Sequence, residues 1–224
     1  VSSLRAHGAY GHHGVPMKLT TPQRAVLADA LLTRFRAVVR QKGDAIEMRA
    51  AAVIFGVVAL FGVSVPTSDA FLTRYWTTLG CVIYTPVGAG PLDASLRVLC
   101  HELTHVVQFW RDPLSYVSRY ASRKGRAELE AEAERGALEV WWLLTGELPR
   151  ELADLDRTRH GYALGDSPGD HDDHADLTRD LLETACTSVA QGVISTDVGL
   201  YVLSWLLAEA PDAIVGKVHE VVPA

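Results

Sequence analysis

Leu92-Asp-Ala-Ser-Leu-Arg-Val-Leu-Cys-His101-Glu102-Leu-Thr-His105-Val-Val-Gln-Phe-Trp-Arg-Asp-Pro113 is the stretch on which the reading of this chain turns. Its apolar residues Leu92, Leu96, Leu99, Leu103, Val106, Val107 and Trp110 recur at helical spacing, with Asp93 placed as N-cap and Pro113 just past the end. The period therefore predicts an amphipathic helix. On it His101 and His105 lie one turn apart on one face, so their ring nitrogens can converge on a single cation. Glu102, turned about 100° away, can reach a water at that cation without being a ligand. Zinc lowers the pKa of such a water to about 7, and Glu102 is then placed as the general base that takes its proton.

A zinc ion needs at least one more protein ligand, and Arg126-Ala-Glu-Leu-Glu-Ala-Glu-Ala-Glu-Arg135 supplies carboxylates on a second predicted helix. Helical phase sorts them. Glu128 shares its face with Glu132, Arg135 and Glu139, a face that is charged throughout and expected to be solvated. Glu130 shares its face with Glu134, Ala137, Leu138 and Trp141, which runs from acids into apolar bulk. Glu130 is thus the carboxylate expected to point inward, where burial demands a cation. The register Glu128/Glu132 fits the bare spacing as well.

His101-Glu-Leu-Thr-His105 followed by Glu130-Ala-Glu-Ala-Glu134-Arg-Gly-Ala137 resembles the gluzincin arrangement of zinc metallopeptidases. That resemblance implies Glu130 as third ligand and Glu134 as an outer support orienting His101 or His105. Two departures stand in the sequence: Glu134 occupies a position that is usually Asp, and no Asn precedes the ligand glutamate. Upstream, Thr77-Thr-Leu-Gly-Cys-Val-Ile-Tyr-Thr85 reads as a strand stopped by Pro86 and a Gly88-Ala-Gly90-Pro91 turn. Its place before the histidine helix is similar to that of the zincin edge strand that pairs with an extended substrate, although an ordinary sheet strand explains the residues equally well. The similarity spans roughly Trp76 to Gly146.

With 224 residues, 48% of them hydrophobic, the chain can bury a full core and is most simply one domain over residues 17–224. Residues 1–16, rich in Gly and His, read as a flexible tail or expression remnant, with Met17 a natural start. A net charge of −6 argues against nucleic acid as partner, and the basic residues Arg119, Arg123, Lys124 and Arg126 read as a solvated loop. Cys81, Cys100 and Cys186 are too few and scattered for a disulfide framework, and Cys100 reads as a packed thiol. A reducing, cytoplasmic compartment is expected, with secretion the alternative if a leader was removed. The apolar run 50–65 falls short of the roughly 20 residues of a membrane span and reads as a buried helix, or helix plus strand.

A first helix is expected from Thr21-Pro22 through Val26, Leu27, Leu31, Phe35 and Val38 to near Gly43. The glutamate helix should run from Ala127 to Thr145 with Gly146 as C-cap, before a polar, turn-rich stretch from Asp154 to Asp176. Within that stretch Asp170-His-Asp-Asp-His174 reads as an acidic surface loop. Two further helices, near 177–191 and 196–210, carry apolar faces suited to covering the histidine helix.

The expected fold is α+β, predominantly α-helical and, by the resemblance, zincin-like: a small sheet with its edge strand packed on the active-site helix, and C-terminal helices covering it. The expected activity is hydrolysis of a peptide or protein substrate through a zinc-activated water, with Tyr116, Tyr120, His160, Tyr162 or Tyr201 donating to the oxyanion. The alternative from another class is a non-catalytic zinc-binding interaction module that uses the same site structurally.

Overall fold

A computed structural model describes residues 18–51, 53, 68–149 and 172–222. They form a mostly helical structure with a small sheet. Helix α1 (Thr21–Phe35) opens on a capping box, in which Thr20 accepts from the Gln23 amide while the Gln23 side chain reaches back to the Thr20 N–H. It ends earlier than its apolar period predicts. Arg36 turns left-handed at φ 52°, and Val38 and Val39 leave the helix for strand β1 (Val38–Gln41), where β-branched side chains pack with less loss of freedom.

After α2 (Ser68–Arg74), the segment predicted as one strand is a hairpin, β2 (Thr77–Leu79) and β3 (Val82–Thr85). Gly80, at φ 60°, makes the two-residue turn with Cys81, a sharp reversal for which the alternating pattern alone gives no signal. Strand β3 is central: β1 runs parallel to it with Val38 opposite Val82, β2 runs antiparallel with Thr78 opposite Ile83, and β2 is left at the edge. Lys42, just past β1, is fully buried, its ammonium donating to the Phe71 carbonyl at 2.8 Å above the Phe71 ring. Burial lowers its pKa to about 8, opposed in part by the negative charge of Glu102.

The histidine helix α3 (Leu96–Arg111) follows a 3₁₀ turn, Leu92–Ser95, so Asp93 lies inside that turn and does not cap the helix. Pro113 stands just past the end of α3, as its place in the sequence predicts. It opens α4 (Pro113–Ala121), whose first turn is capped by Asp112 accepting from the Ser115 N–H at 3.1 Å. Helix α5 (Arg123–Thr145) starts at a Ser122 cap, ahead of the predicted Ala127, and stops at Gly146 as expected. The C-terminal part comprises α6 (Asp172–Ala190), β4 (Val193–Ile194), α7 (Asp197–Glu209) and β5 (Glu220–Val221), with β5 parallel to β4. Helix α6 begins inside the stretch predicted to be turn-rich. The rest of that stretch, the 1–16 tail, most of the apolar run 50–65, His160 and Tyr162 lie outside the described residues.

Leu99, Leu103 and Val106 of α3 form one core with Leu27 and Leu31 of α1, Leu143 and Leu144 of α5, and Val198, Val202 and Leu206 of α7. Each such side chain contributes about 1.5–3 kcal/mol by leaving water, which makes this core the main stabilising element around the histidines. The C-terminal helices do cover the histidine helix and its partner: α7 packs on α3 and α5, and α6 packs on α5 through Val189 against Leu138. Trp110, expected inside, is half exposed at the end of α3. Among the described residues no helix is long and apolar enough to cross a membrane.

Helices α3 and α5 meet in close contact beside the site. A Cβ on Gly136 would collide with the Thr104 hydroxyl, so glycine is what lets the two backbones meet there. The charged face predicted to be solvated is partly exposed at Glu128, Glu132 and Arg135 but buried at its far end. Glu139 is fully buried and accepts from the N–H groups of Ser195 (2.9 Å) and Thr196 (3.0 Å), tying α5 to the start of α7. Replacing Glu139 with Ala leaves the buried Thr196 amide and the partly buried Ser195 amide without that acceptor, at a cost of about 2–5 kcal/mol. Calorimetric melting should show the midpoint falling by on the order of 10 °C. A midpoint within a degree of wild type would mean that Glu139 does not hold α7.

Candidate metal site

The site is built between two antiparallel-facing surfaces of α3 and α5, and each helix delivers its groups by period. On α3, His101 and His105 are successive turns of one face, their rings 5.0 Å apart centroid to centroid. On α5, Glu130 and Glu134 are likewise one turn apart and face them. Glu130 Oε2 lies 3.3 Å from His101 Nε2 and 3.5 Å from His105 Nε2. These three donor atoms, all within 4.8 Å of one another, form a His-His-Glu group that can hold a metal ion.

The spacing fits a small tetrahedral ion. Ligand bonds of about 2.0–2.1 Å at the tetrahedral angle put neighbouring donor atoms about 3.3 Å apart. Glu130 Oε2 stands at about that spacing from each imidazole, at 3.3 and 3.5 Å. Two imidazoles and one carboxylate also make a donor set that suits zinc, three protein ligands being the number that leaves one of its four positions to a non-protein ligand.

Both histidines have their other ring nitrogen occupied. His101 Nδ1 is 3.3 Å from Glu134 Oε2, and Glu134 Oε1 is paired in turn with the buried Arg97 guanidinium. His105 Nδ1 is 2.8 Å from Gln108 Oε1. An acceptor on Nδ1 keeps a hydrogen there, so Nε2 is the nitrogen that would lose its proton and become the ligand when a metal binds. Glu130 is steadied on its outer oxygen by the Tyr120 hydroxyl, which donates to Oε1 at 2.8 Å.

Electrostatics follow from this packing. Burial disfavours the charged form of His101, yet Glu130 and Glu134 outweigh it and raise its pKa to about 10. His105 is raised by the same balance, chiefly burial against Glu130. Burial opposes ionisation of Glu134 too, but Arg97 and His101 bring it down to about 2, and the two histidines hold Glu130 well below the usual carboxylate range. The cluster is therefore a buried set of charges that already carries the negative partner a cation needs.

Glu102 stands beside the group without belonging to it. Its Oε2 accepts from the Thr78 hydroxyl of edge strand β2 at 2.6 Å, which fixes the carboxylate against the sheet. Tyr116 and Tyr120, on α4, stack near the ring of His105 at 6.4 and 6.1 Å. Of the other oxyanion donors expected, Tyr201 packs on Phe35 in the core. Cys100 is buried, as expected of a packed thiol, and burial raises its pKa.

The phase argument for Glu130 over Glu128 agrees with this geometry: Glu128 is turned out to Arg119 at 3.0 Å. Glu132 is a correction to the idea of a solvated face, since it receives the Gln108 amide at 3.1 Å and pairs with Arg111. Thr78, Arg97, Gln108 and Arg111 carry no signal in the sequence that would mark them. Gln108 alone sits at a legible spacing, three residues past His105, on the same helical face. Comparison with family models, with curated proteins and with solved structures gives no match.

Three outcomes are expected. Glu130→Ala should cost stoichiometric zinc in equilibrium dialysis while Glu128→Ala keeps it; the reverse result would move the third ligand to the other register. For pH, a histidine whose folded pKa lies above its unfolded value of about 6.5 stabilises fully below 6.5 and loses that contribution as pH rises through the folded value. Chelator-treated protein should accordingly melt lower as pH goes from 7 to 10, His101 being held near 10. Zinc uptake at pH 7 should release protons, visible as a buffer-dependent heat in titration calorimetry. Heats independent of buffer ionisation would contradict charged histidines in the apo site.

Proposed function

We propose that this chain is a zinc-dependent peptidase of gluzincin type, with His101, His105 and Glu130 as metal ligands and Glu102 as the general base. The observation that carries the reading is the position of Glu102. A carboxylate one residue along the helix from a ligand, outside the ligand set, and hydrogen-bonded to Thr78 of the edge strand is where a proton acceptor for an attacking water belongs. A purely structural metal site has no use for it, which disfavours the non-catalytic alternative.

Zinc, when bound, supplies a Lewis acid that polarises a carbonyl and lowers the pKa of water. The protein's own groups account for the rest. Thr78 aims one oxygen of Glu102 and leaves the other free to take the water proton and pass it to the departing amine. Glu134 and Gln108 hold the histidine rings. Edge strand β2 offers the backbone hydrogen-bonding groups on the side left unpaired among the described residues to an extended peptide, so the strand that positions the base also supports the substrate. Tyr116, beside His105 and with no hydrogen bond from its hydroxyl among the described residues, suits donation to the developing oxyanion. Burial raises the pKa of that hydroxyl, with Glu130 and Glu102 adding to the effect, so it keeps its proton at neutral pH.

Glu102→Gln should retain one zinc and lose about 10²- to 10⁴-fold in rate on a quenched-fluorescent peptide library cleaved by the wild type. Tyr116→Phe should lower kcat by on the order of 10²-fold with little change in KM. Undiminished turnover in Glu102→Gln would remove it as the base. Zinc bound by the wild type with no cleavage of any peptide would favour the non-catalytic reading.

A further inference from the structure

We propose that Gln108, locked by a clamp of Glu132, Arg111 and Asp197 that reaches the surface, is a positioning residue that fixes the tautomer and the aim of His105. The inference rests on the reading of His105 as a metal ligand and concerns how that ligand is controlled.

A glutamine amide has one accepting end and one donating end, and which end faces a histidine decides where the imidazole hydrogen sits. Here the network leaves no choice. Gln108 Nε2 faces two acceptors, the Leu129 carbonyl at 2.9 Å and Glu132 Oε2 at 3.1 Å, so that end must be the donor. The other end, Oε1, is then the atom 2.8 Å from His105 Nδ1 and can only accept. His105 therefore carries a hydrogen on Nδ1, and Nε2, the nitrogen turned to Glu130 Oε2, is the one that a metal would take as ligand on displacing its proton.

Glu132 is held in its turn. Arg111 pairs with Glu132 and, through its other nitrogen, with Asp197 Oδ2 at 2.9 Å in the first turn of α7. The chain of contacts thus links α3, α5 and α7 and ends about one helical turn from a ligand. The bond between residues 105 and 108 lies within one helix and adds at most about 0.5 kcal/mol to its formation, and an apolar side chain at 108 would fill the same space between α3 and α5. Only an amide both accepts from Nδ1 and donates to the Leu129 carbonyl. Glu128, on the same face of α5, pairs with Arg119 and is outside this chain of contacts, which makes it the internal control.

The test uses the full chain with zinc. Competition against a chromophoric chelator should show Gln108→Leu weakening zinc about 10- to 100-fold, as expected for an outer partner of a ligating histidine. Glu132→Leu should weaken it in the same direction by less, and Glu128→Leu should match wild type. Nitrogen-15 spectra of the zinc-loaded protein should show a slowly exchanging His105 Nδ1–H that exchanges faster in Gln108→Leu and Glu132→Leu, while the His101 Nδ1–H is unchanged. Loss of packing alone would not single out that proton. Unchanged affinity together with an unchanged His105 proton in a zinc-binding Gln108→Leu would overturn the inference and leave the zinc site standing. Should Gln108→Leu not fold, the Glu132→Leu spectrum decides: faster exchange supports the clamp, unchanged exchange overturns it. A wild type that takes up no zinc would remove the metal reading itself, and this inference with it.

Discussion

Imidazoles withdrawn from water between helices, His105 fully and His101 for the most part, are costly unless every ring nitrogen has a partner, and the structure around them is organised by that requirement. Their Nδ1 atoms are met by Glu134 and Gln108, and their Nε2 atoms converge on one oxygen of Glu130. Once the outer nitrogens are fixed, the inner ones have a single shared direction. The rest of the fold works to keep that arrangement at atomic spacing: Gly136 brings α5 against Thr104 of α3, Arg97 neutralises Glu134, and the apolar core on the far face of α3 holds the helix in rotation.

The same constraint explains why so much charge is buried here. Glu102, Glu134 and Glu139 are almost inaccessible, and Glu130 is nearly so, an arrangement that isolated carboxylates could not sustain. Each has specific partners. Glu139 holds the amides at the start of α7, Glu134 bridges Arg97 and His101, Glu130 faces both histidines and Tyr120, and Glu102 takes the hydroxyl of Thr78. The helix pair is held as much by these polar bonds as by its apolar contacts. Removing one member of the set therefore affects both the packing and the chemistry of the site.

Much of this is legible in the sequence, for physical reasons that can be named. His101, Glu102 and His105 are local: three residues on one helix whose relative directions follow from its period alone. Glu130 over Glu128 is legible by the same rule, because its face continues into Ala137 and Leu138, both buried. The period does not say what a charged face meets. Glu132 and Glu139 look solvated in sequence because their partners, Arg111, Ser195 and Thr196, are brought to them only by tertiary packing. Gly80 splits the predicted strand into a hairpin through a turn whose geometry a β-branched run does not disclose, and Arg36 ends α1 early because Val38 and Val39 gain more in the sheet. In each case a long-range contact decides against the local preference.

The central claim is that one metal ion sits where His101 Nε2, His105 Nε2 and Glu130 Oε2 meet. Diffraction from zinc-saturated crystals, recorded on both sides of the zinc absorption edge, tests it directly. The account predicts a single anomalous peak per chain, present only above the edge, about 2.0–2.2 Å from each of those three atoms. A peak at other residues, such as His171 and His174, or none in protein saturated with zinc, would contradict it.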